Sequence, residues 1–298
     1  MKYITTFFLI LTLLAACQSS QKETKAEQEE SKKGPIVSLE LVWQTDSVMN
    51  TPEAVRFDAE NNMIYVMNMG VKPNSEKDGD GTISKLSVDG EILEKEWVTG
   101  LNSPKGANFQ NGKLYVADID ELVQIDIITA TVEKRYPSID PKFLNDTDVD
   151  ENGDVYFTDT GSDQVLKLVD GEVMVWQKIE GLNPNGVFVE ENRVLIISYG
   201  LGEFYAFNKE SGVKEILATG IKGGDGIVAI DEGYLISTWP GEIFFVPKDQ
   251  RGGDATKILD TKDAGLNAAD ITLIPEKDLL IVPTFLGNSV SAYKINID

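Results

Sequence analysis

The chain has 298 residues, with 49 Asp and Glu against 27 Lys and Arg, a net charge of −22 and no histidine. That excess of negative charge repels nucleic-acid phosphates and anionic lipid surfaces, which removes nucleic-acid binding from consideration. The missing histidine removes Ser-His-Asp and Cys-His catalysis, His-ligated zinc and a histidine base, leaving chemistry to oxygen donors.

Lys2 precedes an apolar run from Tyr3 to Leu13 that is too short to span a bilayer and is laid out as a secretory signal. Leu14-Ala15-Ala16-Cys17 follows and resembles a bacterial lipobox, which implies removal of residues 1–16 and attachment of lipid to Cys17. The alternative for Cys17, a buried structural thiol, fits poorly with its place directly after the apolar run. As the only cysteine it leaves an exported chain without disulfides, held by core packing alone. Residues 17–35 are dominated by Gln, Ser, Lys and Glu, and such a stretch cannot bury enough apolar area to offset its ordering entropy. The expectation is a tethered monomer, facing a periplasm or the cell surface, that meets a bacterial membrane only through Cys17.

Residues 36–298 read as one folded domain. Ser38 to Gln44 alternates apolar and polar residues ahead of any repeat. From there a pattern returns, centred on Asn183-Pro184-Asn185-Gly186-Val187: a polar residue two places before the first strand-like apolar residue, at Glu53, Lys105, Asn145, Asn185 and Asp225. A sixth copy puts Ala269 in register and Asp270 one step out, so the intervals are 52, 40, 40, 40 and 44 residues. Short apolar strands and turns such as Glu151-Asn152-Gly153-Asp154 recur within each unit.

A period near 40 with several strands per unit predicts an all-β, six-bladed β-propeller of four-stranded antiparallel blades. The last unit ends after its third strand, so Ser38–Gln44 is predicted to supply the fourth and close the ring. The long first interval holds an insertion, Val71 to Gly81. Its Asp78-Gly79-Asp80-Gly81 lacks the remainder of a calcium-loop pattern and reads as a mobile rim loop. Gly223-Gly224-Asp225-Gly226 lacks the lysine and hydroxyl residue of a phosphate-binding loop.

Inner strands of a propeller run along its channel, so equivalent positions on successive blades point into one space. Glu53, Asn145, Asn185 and Asp225 then offer two carboxylates and two amide carbonyls, a donor set for a hard divalent cation and most readily Ca2+. The competing reading is that each merely hydrogen-bonds a turn. Lys105 holds the same register and either meets an anionic group of a substrate or makes an ion pair at the channel mouth. Asp146 either supports the site beside Asn145 or caps a turn. The ends of the second strands nominate Asn68, Asp118, Asp159, Tyr199, Trp239 and Phe285 as pocket wall, the aromatic members favouring an organic ligand.

Pro52-Glu53-Ala54-Val55, Leu144-Asn145-Asp146, Pro184-Asn185-Gly186-Val187 and Gly224-Asp225-Gly226-Ile227 resemble motifs of the SMP-30/gluconolactonase-like propellers, a group akin to diisopropylfluorophosphatase and the paraoxonases. The resemblance spans the folded body through motifs of two or three residues. It implies that Glu53, Asn145, Asn185 and Asp225 hold a divalent cation, usually calcium. It also implies that Asn145 contacts metal or substrate, and that Asp225 acts as base, nucleophile or orienting group in hydrolysis of a lactone, ester or phosphotriester. Two departures bear on substrate: Phe143 stands where sugar-lactone hydrolases carry an Arg, and the histidines of paraoxonase-type sites are absent. The alternative function is a non-catalytic tethered propeller that binds a small molecule or protein around a structural calcium.

Overall fold

The computed structural model describes residues 34–71 and 76–298, with Met1. The secretory signal, Cys17 and nearly all of the tether lie outside the described residues, as do residues 72–75 of the insertion. Twenty-four strands form six separate four-stranded antiparallel sheets, the blades of a six-bladed propeller. Five blades use consecutive strands, as in Leu144–Val149, Val155–Asp159, Gln164–Val169 and Glu172–Lys178 of blade 3. Blade 6 is built from both ends of the body: Thr272–Ile274, Leu279–Pro283, Val290–Ile297 and then Val37–Gln44.

In that closure Val37 lies opposite Ile297 and Gln44 opposite Ser291, as the alternation of Ser38–Gln44 predicts. The pairing gives the last sheet its fourth strand and joins the two ends of the folded body by hydrogen bonds. Among the described residues the helical content is three short 3-10 turns, and no helix is long and apolar enough to cross a membrane.

The core lies between neighbouring blades. Tyr65, Met67 and Ile83 of blade 1 pack on Leu114, Val116 and Val123 of blade 2, and Ala117 and Leu122 of blade 2 pack on Phe157 and Leu166 of blade 3. The middle strands of each blade are covered on both faces and read as continuous apolar runs, whereas outer strands such as Glu172–Lys178 stay largely solvated.

One irregularity of the inner strands positions the site. Pairing with the second strand skips a residue between Pro52 and Ala54, Pro104 and Ala107, Leu144 and Thr147, Pro184 and Val187, and Gly224 and Ile227. Glu53, Lys105, Asn145, Asn185 and Asp225 all fall inside these bulges, where the strand bends and re-aims its side chains. The proline that opens three of these strands tolerates the missing ladder bond because it has no N–H to donate.

Bulging also brings adjacent inner strands close together. A Cβ on Gly186 would lie 1.8 Å from the Asp225 carbonyl oxygen, and one on Gly106 would lie 2.4 Å from the Asp146 Cα. Asn185-Gly186 is therefore not a hairpin turn; its glycine is a spacing requirement between blades 4 and 5. Gly186→Ala is expected to cost about 1–3 kcal/mol of stability in urea unfolding, since the carbonyl it meets is backbone and cannot swing away. An unchanged unfolding midpoint would show that the two strands separate without penalty.

Candidate functional site

The register residues meet as the wheel geometry predicts. Glu53, Lys105, Asn145, Asn185 and Asp225 all line one cavity of about 410 Å3, to which every blade contributes. They are nearly inaccessible, Glu53 at 5%, Asn145 at 6%, Asn185 at 2% and Asp225 at 3% exposure. Yet Glu53 Oε2, Asn185 Oδ1 and Asp225 Oδ1 have no hydrogen-bond partner within the protein. Asn145 donates Nδ2 to Thr160 Oγ1 at 3.3 Å, which orients its amide and leaves Oδ1 as an acceptor. A buried acceptor without a donor costs about 1–3 kcal/mol, so three around one cavity point to a group that completes them.

Electrostatics favour the same conclusion. Burial raises the Glu53 carboxyl from an ordinary value of 4.5 to about 8; the charge of Asp146 adds to the effect, while Lys105 and Arg56 oppose it. Burial, then the charges of Glu53 and Asp146, push Asp225 well above the usual carboxylate range. Lys105 is lowered by burial against the pull of Glu53.

Beneath this layer Arg56 crosses the channel. Its Nη2 stands 3.0 Å from Asp146 Oδ1 on blade 3 and 2.8 Å from Asp270 Oδ2 on blade 6, and its Nη1 donates to the carbonyls of Val55 and Ile271, both at 3.0 Å. Burial raises both Asp146 and Asp270 despite that partner. Asp146 Oδ2 accepts the Val187 N–H at 3.0 Å, tying blade 3 to blade 4. Asp146 therefore neither lines the cavity nor caps a turn; it is part of the layer beneath.

Glu53 and Asp225 line the cavity with Lys105, and Arg56 bridges Asp146 and Asp270 beneath, so buried carboxylates outnumber cations in this part of the channel. A divalent cation would offset that excess, and its preferred donors are the unpartnered oxygens. Among the described residues no three Asp, Glu, His or Cys side chains form a ligand cluster. The set here is two carboxylates with two amides, suited to a hard ion whose remaining positions go to water or substrate.

Hydroxyls from the second strands hold the bulges, and the sequence reading missed them. Thr158 Oγ1 accepts the Asp146 N–H at 3.0 Å and donates to the Asn185 carbonyl at 2.7 Å. Ser237 Oγ repeats the device between Gly226 and Ala269, at 2.9 and 2.7 Å. Each satisfies a backbone group that the bulge strands and ties it to the next blade. Arg56 and Asp270 were also missed. The signals were an Arg inside an inner strand and a carboxylate one step out of register in the sixth copy.

The predicted wall needs a correction. Tyr199, Trp239 and Phe285 line the cavity, but Asn68, Asp118 and Asp159 do not. Asn68 donates to Ser84 Oγ at 2.9 Å and to the Val66 carbonyl within its own blade. Asp118 accepts backbone N–H groups of Asn102 and Ser103, and Asp159 those of Lys142, Phe143, Gly161 and Ser162. These carboxylates latch the loop that enters their own inner strand. The wall residues are one place further on, Met69 and Thr160, in register with Tyr199, Trp239 and Phe285. Successive strand residues face opposite ways, so choosing the polar residue in three blades selected the wrong face.

On blades 5 and 6 the wall is apolar: Trp239 meets Phe285 edge-on with centroids 5.5 Å apart, and Met69 and Ala269 pack beside them. On the opposite side Phe143 lies under Lys105, whose Nζ is 4.6 Å from the ring centroid. The cavity thus has a polar, acceptor-rich floor, one apolar flank and one cationic flank.

No protein-family model matches the sequence, and no curated protein matches it. Solved structures do resemble it. A catalytically inactive virginiamycin B lyase from Staphylococcus aureus, with quinupristin, aligns at TM-score 0.59 and 12% identity over 87% of this chain and 99% of its own. A luciferin-regenerating enzyme aligns at TM-score 0.58 and 16% identity, over 88% and 95% of the two chains. A structure of a nidogen/laminin complex aligns at TM-score 0.53 and 16% identity, over 71% and 86%. What they share with this chain is the propeller. At such identities the likeness shows the fold, and it extends over enzymes and a protein–protein complex alike.

Proposed function

We propose that this chain is a lipid-anchored, Ca2+-dependent hydrolase of the SMP-30/gluconolactonase-like type, acting on a lactone, ester or phosphotriester. The observation that carries the reading is the set of unpartnered buried oxygens on Glu53, Asn185 and Asp225, which surround one small-molecule cavity together with Asn145. These four residues would hold the cation. When bound it supplies Lewis-acid polarisation of a carbonyl or phosphoryl oxygen.

The chain's own residues do the rest. The bulged inner strands hold the four donors from four different blades, so the site is rigid before substrate arrives. The nearly buried floor excludes bulk water, which strengthens every charge interaction inside it. Asp225 is the carboxylate assigned to attack or to orient the attacking water. Bound to the cation this carboxylate is held ionised and is a weak base, so its part is attack or orientation of the water rather than proton abstraction. Trp239, Phe285 and Met69 offer the substrate an apolar surface.

The test is turnover of a panel of lactones, aryl esters and phosphotriesters by the purified full chain in Ca2+. Asp225→Asn keeps the shape of the side chain and is expected to lower kcat by 100-fold or more at saturating Ca2+, on the order of what a positioned catalytic group contributes, while the protein still melts in one cooperative transition. Absence of turnover across the panel with calcium bound would favour the second reading, a binding propeller around a structural cation. The nidogen/laminin likeness shows that this architecture also occurs in a protein–protein complex.

A further inference from the structure

Lys105 is the only cation among the described residues that line the cavity. It is 1% exposed, and its ammonium donates only to the Ser103 carbonyl, at a long 3.4 Å, besides resting on the Phe143 ring. Among the described residues no carboxylate oxygen lies within ion-pair distance of it, although Glu53, Asp118 and Asp159 are near enough to act on its charge. An ammonium carries three donor hydrogens, and burying it with one weak acceptor is costly, so its place in the cavity wall leaves donors for a ligand.

The ligand's charge follows from the surroundings. A chain of net charge −22 repels anions at long range, though salt screens that repulsion beyond about 10 Å. Selection of an anion must therefore come from a local, desolvated cation, where the Coulomb interaction is strongest. The opposite flank, Trp239, Phe285 and Met69, presents mainly apolar surface and suits an aromatic or aliphatic body. About 410 Å3 accommodates a molecule of metabolite size.

We propose that the cavity takes a small organic anion, its negatively charged oxygen on Lys105 and its apolar body against Trp239 and Phe285, so that Lys105 determines specificity. The hydrolase reading enters only in calling this anion substrate or product; the binding itself does not depend on turnover.

The test is calorimetric titration of the full chain, in Ca2+ at neutral pH, with 1-naphthylacetate and its uncharged counterpart 1-naphthylacetamide. The carboxylate is expected to bind about ten-fold or more tightly than the amide, the range of a charge-assisted hydrogen bond over a neutral one. Lys105→Met, which keeps the length of the side chain, is expected to bring the two probes within about two-fold of each other while leaving amide binding in place. Trp239→Ala is expected to weaken both probes alike. Equal binding of the probes to the parent protein, binding of neither, or a carboxylate preference that survives Lys105→Met would overturn the proposal; the last would assign the preference to the calcium. Neither probe is an ester, lactone or phosphotriester, so this result and the turnover panel can fail independently.

Discussion

Arg56→Met is expected to lower the stability of the folded chain by about 3–5 kcal/mol at pH 8, the range for removing one partner of a buried ion pair. Met fills much the same volume, so little of the loss comes from a cavity. Most of it comes from Asp146 and Asp270, whose side chains are 2% exposed and whose shared cation would be gone, while the carbonyls of Val55 and Ile271 lose a donor. Both carboxyls are already raised by burial with Arg56 in place, and they rise further without it. A carboxyl with a raised folded-state pKa binds more protons folded than unfolded, so stability falls as pH rises through that interval. The deficit of Arg56→Met should therefore shrink as pH is lowered from 8 toward 5. The triple change Arg56→Met, Asp146→Asn, Asp270→Asn should recover part of the loss, because no uncompensated charge then remains. Thermal unfolding across pH measures all three, and a deficit below about 1 kcal/mol at pH 8 would show that the triad is dispensable.

Calcium is expected to stabilise the protein by about 2.7 kcal/mol at a hundred-fold excess over its dissociation constant, a rise of roughly 5–10 °C in Tm for a chain of this size. In chelator the raised Glu53 has the opposite consequence. Its folded value of about 8 lies above the unfolded 4.5, so its contribution is complete below pH 4.5 and is lost as pH rises to 8. The metal-free protein should thus lose stability from pH 5 to pH 8, and the gain on adding Ca2+ should grow over the same range, since the cation binds the ionised form. Glu53→Gln separates the two effects: it removes a buried carboxylate and a cation ligand together. At pH 8 it should be at least as stable as the parent protein in chelator and less stable in saturating calcium. No Tm response to millimolar Ca2+ at pH 8 would remove the cation from the site.

The route from chain to architecture is short because a propeller repeats one local instruction. Each unit carries the same alternation and turn chemistry, and five of the six carry a polar residue at one register position, so six copies announce six blades. Even the seam follows, because a sixth unit short of one strand and an unattached alternating strand at Ser38–Gln44 complete each other. Convergence of Glu53, Lys105, Asn145, Asn185 and Asp225 on one cavity is readable for the same reason: equivalent residues of a closed ring occupy equivalent places around its axis.

What the repeat could not supply are the interactions that differ between blades. Asn68, Asp118 and Asp159 look like site residues by polarity, but a one-residue change in strand register exchanges faces, and only the three-dimensional pairing shows Asn68 bonded within its blade and the two carboxylates latching loops while Met69 and Thr160 reach the cavity. Arg56, Asp146 and Asp270 lie up to 214 positions apart and become a triad only when the ring closes. The sequence alone determined the period, the blade number, the closing strand and the ring of oxygen donors, because each is written in local pattern. Tertiary structure decided which side chains are left without partners, since burial and hydrogen-bond satisfaction depend on what neighbouring blades bring to the same point.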